Sequence, residues 1–560
     1  MVPQAVFHPG IRRAISWPLL GRSLVLLALA IPVIAVQAET PAANSAEVEL
    51  GRRIYMESVL PSGAPLKGQQ VDATEVEGPT MACTKCHRAS GMGGLEGNIV
   101  VPPITGGFLF ATDENRPTAL LDVRAPKNVT RAHAPYTAES LGKAMREGVN
   151  VGGGKMSQLM PRYNLSDAEI KALSAYLQQL SAQLPPGVGE DTVNFATIVT
   201  PDVDAKQRDV MVSMMQHAFA QRNSSQQTYS GRMRMPLDLI PRTLRNWKLA
   251  VWELKGAPDT WAAQLAENYR REPVFAVISG ISNSTWAPVH EFCKQEKVPC
   301  MLPSTDLPPT EENFYSMYFS RGVVLEAEVL AKRLREQGDK APRRLVQVYR
   351  DDEVGRGAAQ ALSQALRDSG VKVEDRVLHG QDKAEVTVAL KGVSNKDGLM
   401  LWLRPADLAA VNKVAPKKAP AVVYVSGFLA EENYATFAKS WKPQVRVVYP
   451  YELGAKHKTN VDTMQKWLTA WGLPLVNEAF QTEVYFNLLF LTDLSSQMLD
   501  NLYRDYLLER AEDMLSWGSN TSIYPRLGMA PGQRFASKGA YIARLAADGK
   551  LVADSEWIVP

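Results

Sequence analysis

The run Cys83-Thr84-Lys85-Cys86-His87 constrains this chain more than any other feature. Two thiols at this spacing can add to the two vinyl groups of one haem, and the adjacent histidine then lies under the iron as its proximal ligand. A redox dithiol has no need of the following histidine. A zinc site wants a second Cys or His pair, and none is nearby. The expectation is one covalent haem c, attached through Cys83 and Cys86, with His87 on the iron.

Haem attachment of this kind belongs outside the cytoplasm, and the first residues agree. Arg12, Arg13 and Arg22 precede an apolar run from Leu24 to Val36, and Val36-Gln37-Ala38 offers small residues for cleavage. An uncleaved membrane anchor is the alternative, but the run is short for a hydrocarbon layer of about 30 Å. Residues 1–38 are therefore expected to be a signal peptide, leaving a periplasmic chain with no stable membrane span. Removing them takes away three arginines and no acidic residue, which leaves the remainder formally neutral. Nucleic-acid binding, which needs a concentrated basic surface, is not expected. In an oxidising compartment Cys293 and Cys300 either close a short disulfide loop or stay as two buried thiols.

Around the haem motif the pattern is helical. Ala46 to Tyr55 places Leu50, Ile54 and the pair Gly51 and Tyr55 on related faces. A middle helix is expected from Thr137 to near Gly148. Ser166-Asp167-Ala168-Glu169 reads as a capping box, followed by Ile170, Leu173, Leu177 and Leu180 at helical spacing. Residues 45–184 resemble the class I cytochrome c fold through Gly51, Tyr55, the CxxCH motif, Pro103-Ile104 and Met160-Pro161-Arg162-Tyr163. In that family a methionine just before the last helix, typically followed by proline, is the sixth iron ligand. The resemblance assigns this role to Met160, with Met156 as runner-up; Met92 sits too close to the attachment motif, and His133 would give a bis-histidine iron. A thioether ligand raises the reduction potential and suits electron transfer. Two stretches, Met56 to Met81 and Phe108 to His133, are longer than most of the family has.

Leu184-Pro-Pro-Gly-Val-Gly189 is a cluster of breakers, so residues 185–191 read as a linker. Beyond it, strand and helix alternate. Expected strands include Phe195–Thr200, Leu249–Leu254, Val274–Ser279, Val298–Pro303, Arg344–Tyr349, Val371–Leu378, Gly398–Leu403 and Ala421–Val425. Helices are expected over Asp204–Ala220, Thr260–Tyr269, Trp286–Lys294, Gly355–Ser369 and Ala406–Val414. Such alternation argues for parallel sheets covered on both faces. With Val274-Phe-Ala-Val-Ile-Ser-Gly280, Val298-Pro-Cys-Met-Leu-Pro-Ser-Thr305 and Tyr318-Phe-Ser-Arg-Gly322, residues 192–560 resemble the type I periplasmic solute-binding proteins of the branched-chain amino acid and amide group. The implied fold is multidomain: an all-α cytochrome c domain followed by a two-lobed α/β periplasmic-binding-protein type I domain.

In that family the ligand sits between the lobes, where loop hydroxyls and helix-start amides hold a carboxylate. The matching positions include Ser279, Ser282, Ser284, Ser304 and Thr305, although turn and cap chemistry also places serines there. The second lobe departs from the family. Val354 stands where amino-acid binders have an aromatic residue, the loop Val425-Ser426-Gly427-Phe428 lacks the acid that pairs with a ligand ammonium, and Arg404 lies on the intervening loop. A free α-amino acid is not expected; the cleft is expected to hold a different small acid or alcohol, or nothing. Val476 to Leu515 reads as largely helical, with Phe480, Val484, Leu488, Leu491 and Leu494 as a buried stripe. The end, Tyr524-Pro-Arg-Leu527 and Gly532 to Tyr541, resembles the tail of solute-binding-like proteins associated with quinoprotein alcohol dehydrogenase systems.

No catalytic constellation emerges: His217, His290, His379 and His457 are scattered, and the chain is not expected to be an enzyme. The leading expectation is an electron-transfer protein. It takes electrons from a periplasmic dehydrogenase, a quinoprotein among the candidates, and passes them to another cytochrome or an oxidase. The second is a small-molecule binding protein of the ABC-transporter type whose haem is a redox sensor. A haem peroxidase, the third, requires an open iron face that Met160 would close.

Overall fold

The structure, a computed structural model, describes residues 45–560 apart from 71–73, 98, 118, 120–131, 233–244, 381–382, 415–417, 432–433, 435–436, 438–439, 518–521 and 531. Residues 1–38, and half of the long stretch from Phe108 to His133, lie outside the described residues.

Three helices frame the N-terminal module: Ser45–Glu57, Ala138–Glu147 and Asp167–Gln179. Capping boxes start the second and third. Thr137 accepts from Ser140, and Ser166 from Glu169, so amides that the first turn leaves unpaired are satisfied. The first and third helices cross where Gly51 meets Ala172. A Cβ on Gly51 would lie 2.0 Å from the Ala172 carbonyl oxygen, so only glycine allows this approach. Tyr55 packs against Tyr176 at the same crossing, ring centroids 5.5 Å apart.

The module is not purely helical. The extension from Met56 to Met81 supplies two short strands, Lys67–Gln69 and Glu75–Glu77, and the first also pairs with Arg162–Tyr163. A hairpin, Gly94–Glu96 with Ile99–Val101, follows the haem motif.

The remainder builds two sheets. In the first lobe, Thr192–Val199 is central, flanked by Asn246–Glu253 and Ala276–Ile278; Cys300–Met301 and Ser316–Met317 continue beyond the latter. The expected strand Val298–Pro303 is thus only two residues long, and Ser304–Thr305 turns away to pair with Ile281–Ser282. The helix expected to end at Ala220 runs on, as Ala205–Arg232. In the second lobe the order is Lys372–Leu378, Arg344–Arg350, Gly398–Trp402, Val422–Ser426 and Val445–Tyr449, all parallel; Tyr541–Leu545 and Leu551–Ala553 follow antiparallel. Gly398–Trp402 is buried throughout, which explains its unbroken apolar run: a parallel strand covered on both faces has no polar side.

The long C-terminal helical stretch is two helices, Glu478–Met498 and Arg504–Trp517, interrupted at Leu499 to Tyr503. Cys293 and Cys300 form a disulfide across 6.2 Å between Cα atoms, which resolves the two alternatives for that pair. Among the described residues no helix is long and apolar enough to cross a membrane.

Candidate functional site

The haem motif forms one helical turn, Thr84–His87. Both thiols are unbridged. Burial pushes the Cys83 thiol up to about 12 and also raises Cys86, so neither is an activated thiolate. Among the described residues, no group of three or more Cys, His, Asp or Glu is placed to hold a metal ion, so these two cysteines have no zinc partners. The His87 ring is buried, and burial pushes its pKa down to about 4, which keeps it neutral. Its Nδ1–H donates to the Pro102 carbonyl at 3.0 Å. That bond sets the tautomer and leaves the Nε2 lone pair for iron, the usual arrangement of a ligating histidine. Cys83, Ile104, Phe110 and Met160 border the same apolar cluster, with Leu109, Tyr163 and Leu173 inside it. The donor set therefore fits a c-type haem. Met160 is half-buried, as is Met156. Met92 is fully buried in the main core instead, and His133 Nδ1 bonds the Ala134 carbonyl at 2.8 Å.

The loop after His87 is fastened to the helix Arg504–Trp517. The Ser90 amide and hydroxyl donate to the two Glu509 oxygens at 2.9 and 2.5 Å. Arg88 pairs with Asp513 at 3.0 Å and Glu512 at 3.5 Å. Glu512 also pairs with Arg534 at 2.8 Å. Met92 adds apolar contact, joining the cluster that contains Leu507 and Leu508. Arg504 fixes the other end of this helix, donating to the carbonyls of Pro186 in the linker and Val274 in the first lobe at 3.1 and 2.7 Å. Of the seam residues, Ser90, Glu509, Glu512 and Asp513 were not singled out from sequence. Their signal was Glu509, Glu512 and Asp513 interleaved with Leu507, Leu508 and Leu515, acids placed where a buried stripe runs.

Between the lobes lies a cavity of about 70 Å³. Ser282, Ser304, Thr305 and Arg404 line it; Ser284 does not. The Ser282 hydroxyl donates to the Thr285 carbonyl at 3.0 Å, and Ser279, outside the cavity, receives Asn487 at 2.8 Å. Thr305 Oγ1 is buried without a partner. Arg404 reaches from the second lobe to Asp306 at 2.6 Å and the Asn283 carbonyl at 2.9 Å, with Glu431 at 4.0 Å.

The loop Val425 to Phe428 brings no acid to the cavity, but other segments do. Asp306, Glu431 and Glu483 all line the cavity. Glu483 comes from the helix Glu478–Met498, one turn position from the apolar stripe, and receives Ser304 at 2.8 Å and Tyr524 at 2.6 Å. Burial pushes it up to about 7, and Glu431 upward as well. Phe319 stacks on Tyr524 at 5.3 Å, and Tyr451 contacts Tyr524 at 5.2 Å and Phe428 at 5.7 Å. The loop carrying Phe428 is held by Glu326, which receives the Gly427 and Phe428 amides at 2.7 and 3.0 Å and the Ser426 hydroxyl at 2.5 Å. Val354 is buried in its own helix, whose start Asp352 caps by accepting from the Gly355 amide. The four histidines stay dispersed: His290 bonds Tyr318, His379 pairs with Asp351, His457 with Glu478, and His217 lies on Trp471.

A two-lobed α/β fold with a cavity between its lobes, behind a small helical module bearing CxxCH, defines a solute-binding protein that carries a c-type haem module. The chain belongs to the periplasmic binding protein family, whose model matches residues 248–550. A cytochrome c model matches residues 67–181. Solved structures are similar to part of the chain. A fatty acid ABC transporter substrate-binding protein from Thermomonospora curvata is 14% identical, covering 68% of this chain and 95% of its own, with a TM-score of 0.50. A branched chain amino acid ABC transporter protein from Thermus thermophilus with bound valine is 10% identical, covering 66% and 97%, with a TM-score of 0.49. A leucine binding protein from Thermotoga maritima is 12% identical, covering 66% and 99%, with a TM-score of 0.47. At such identities the likeness is one of fold. No curated protein matches the chain.

Proposed function

We propose that this is a periplasmic electron-transfer protein, exported by residues 1–38, whose single haem c module is carried on a solute-binding fold that docks a dehydrogenase or senses its substrate. The observation that carries the reading is the seam. The loop beside His87 is tied to the binding fold by Glu509 on Ser90 and by Arg88 on Glu512 and Asp513. A haem merely tethered by a linker would have no need of buried ion pairs at its attachment loop.

Bound haem supplies one-electron chemistry. Cys83 and Cys86 would attach it, and His87 through Nε2 and Met160 through sulfur would be its iron ligands. A closed iron carries electrons rather than substrates. The donor is a periplasmic dehydrogenase, with a quinoprotein as first candidate, and the acceptor another cytochrome or an oxidase. Stopped-flow mixing with reduced candidate dehydrogenases tests this: haem reduction at a protein-concentration-dependent rate is expected, and none with any candidate refutes it.

The cavity favours a second reading, a small-molecule binding protein of the ABC-transporter type whose haem reports redox state. Ligand-induced thermal stabilisation without electron exchange would select it, since a ligand that binds only the folded state stabilises by mass action.

A further inference from the structure

We infer that Glu509 is a redox-linked proton site: it takes up a proton from solvent when the attached haem is reduced and gives it back when the haem is oxidised. The inference rests on the haem-bearing part of the electron-transfer reading and adds a proton to its electron.

Glu509 belongs to the binding fold, yet its carboxylate ends on the haem-attachment loop. One oxygen accepts from the Ser90 amide and the other from the Ser90 hydroxyl. Ser90 is three residues past His87, so their Cα atoms lie within about 11 Å of each other. The Tyr55 hydroxyl donates to the Arg88 carbonyl at 2.7 Å. Its ionisation is disfavoured by burial, then by Cys83 and Glu509, so the acid and an attachment cysteine share this buried neighbour. Charges this close in a protein interior are screened less than in water. At an effective dielectric constant of about 20, unit charges about 15 Å apart shift an equilibrium roughly fivefold.

The neighbouring acids are placed differently. Glu512 pairs with Arg88 and Arg534, and Asp513 with Arg88 and Arg510. Asp505 accepts the Tyr315 hydroxyl at 2.7 Å. Glu509 has uncharged donors at both oxygens. The charged and titratable groups around it are Asp505, Tyr506, Arg510, Glu512 and Asp513 on its own helix, Arg88 and Tyr55 from the haem module, and Tyr315 from the first lobe. Burial outweighs the hydrogen bonds from Ser90 and the attraction of Arg88, and pushes the acid up to about 8. A negative charge arriving nearby favours the protonated form further. The exchange balances: one electron passes from the donor to the iron, and a proton from water joins the Glu509 carboxylate as a carboxylic acid. Oxidation reverses both.

Spectroelectrochemical titration of the full-length, haem-loaded protein from about pH 6 to about 9.5, with small mediators and no dehydrogenase, tests the inference. Across that range the potential of wild type should fall by roughly 40 mV more than that of Glu509→Gln, a fivefold change converted at about 59 mV per tenfold. Groups common to both proteins, the haem propionates included, cancel in the difference. Ser90→Ala removes a hydroxyl that favours the ionised form, so it should move the step to higher pH with little change in its size. Reduction in weakly buffered solution near about pH 8.5 should take up about a third of a proton per electron more in wild type than in the glutamine variant. Parallel potentials for the two proteins, or equal proton uptake, overturn the inference. Reduction by dehydrogenases is a separate measurement, so its failure sinks the electron-transfer reading and leaves these potentials standing.

Discussion

Replacing Glu509 by glutamine removes a buried carboxylate from the seam between the haem module and the binding fold, and the effect should depend on pH. Glu509 is 3% exposed. Burial pushes its pKa from the ordinary 4.5 to about 8, although the two hydrogen bonds from Ser90 pull it down. The folded chain thus binds this proton more tightly than the unfolded chain. The associated stability is fully present below 4.5 and is lost as pH rises through 8. Each tenfold change in proton affinity is worth about 1.4 kcal/mol, so the limiting loss for this group is roughly 5 kcal/mol. Water entry and local relaxation reduce it, and about 2–5 kcal/mol is expected. Glutamine has no proton to lose and still offers an amide oxygen to the Ser90 N–H. Urea unfolding of the haem-loaded protein, read by Soret circular dichroism and tryptophan fluorescence, should give nearly equal stabilities for wild type and variant at about pH 4.5, with the variant ahead by about pH 9. Glu326 and Glu483 are also raised by burial, but they are present in both proteins and cancel in the difference. A gap that stays constant between the two pH values refutes the assignment of a buried, high-pKa Glu509.

Met160→Ala should remove the thioether from the iron, lower the reduction potential and admit cyanide or carbon monoxide, all visible by optical titration; an unchanged potential would transfer the role to another residue. Gly68→Val should destabilise the haem module by about 1–3 kcal/mol in thermal unfolding. A Cβ there meets Met81 sulfur at 2.7 Å and Pro161 at 3.2 Å, so the strain falls beside Met160. Removing the Cys293–Cys300 disulfide by a double serine substitution should cost about 2–3 kcal/mol, the loop-closure value for an eight-residue ring, as measured by denaturant unfolding. Arg404→Ala should cost about 1–2 kcal/mol, because it parts a half-exposed pair with Asp306 and leaves that acid beside Glu431.

The haem motif, the capping boxes and the alternating apolar runs were legible because each is local. Spacing of two and three residues decides whether thiols reach one haem and whether Ser166 meets the Glu169 amide. Both lobes followed from strands whose burial on two faces leaves unbroken apolar runs. Expected boundaries failed where tertiary pairing decides them. The strand expected through Pro303 ends at Met301 because Ser304–Thr305 is drawn to Ile281–Ser282, a partner more than twenty residues away. The acidic side of the cleft was hidden for a related reason. Glu483 sits on a helix that reads as core, and only the approach of Ser304 and Tyr524 from distant segments makes it part of a site. The seam was hidden likewise, since Ser90 and Glu509 lie far apart in sequence and nothing local to either marks the other.

The placement of the two bolts says which parts can move independently. The haem loop is fastened to the helix Arg504–Trp517, and that helix is fastened by Arg504 to the carbonyls of Val274, Phe275, Glu296 and Lys297 and by Asp505 to Tyr315, all in the first lobe. The second lobe meets the first across the cavity through Arg404 on Asp306. Were the lobes to part, Arg404 would leave Asp306 without breaking either bolt, and the haem module would stay with the first lobe. Any influence of a ligand on the haem must then pass within that lobe. One route of direct contacts exists. Phe319, on the cavity wall, accepts the Ser537 amide, and its neighbour Tyr318 donates to the Arg534 carbonyl at 2.8 Å; Arg534 pairs with Glu512, and Glu512 with Arg88, next to His87. By linkage, a ligand that shifts the potential must bind the oxidised and reduced proteins with affinities that differ by the same factor.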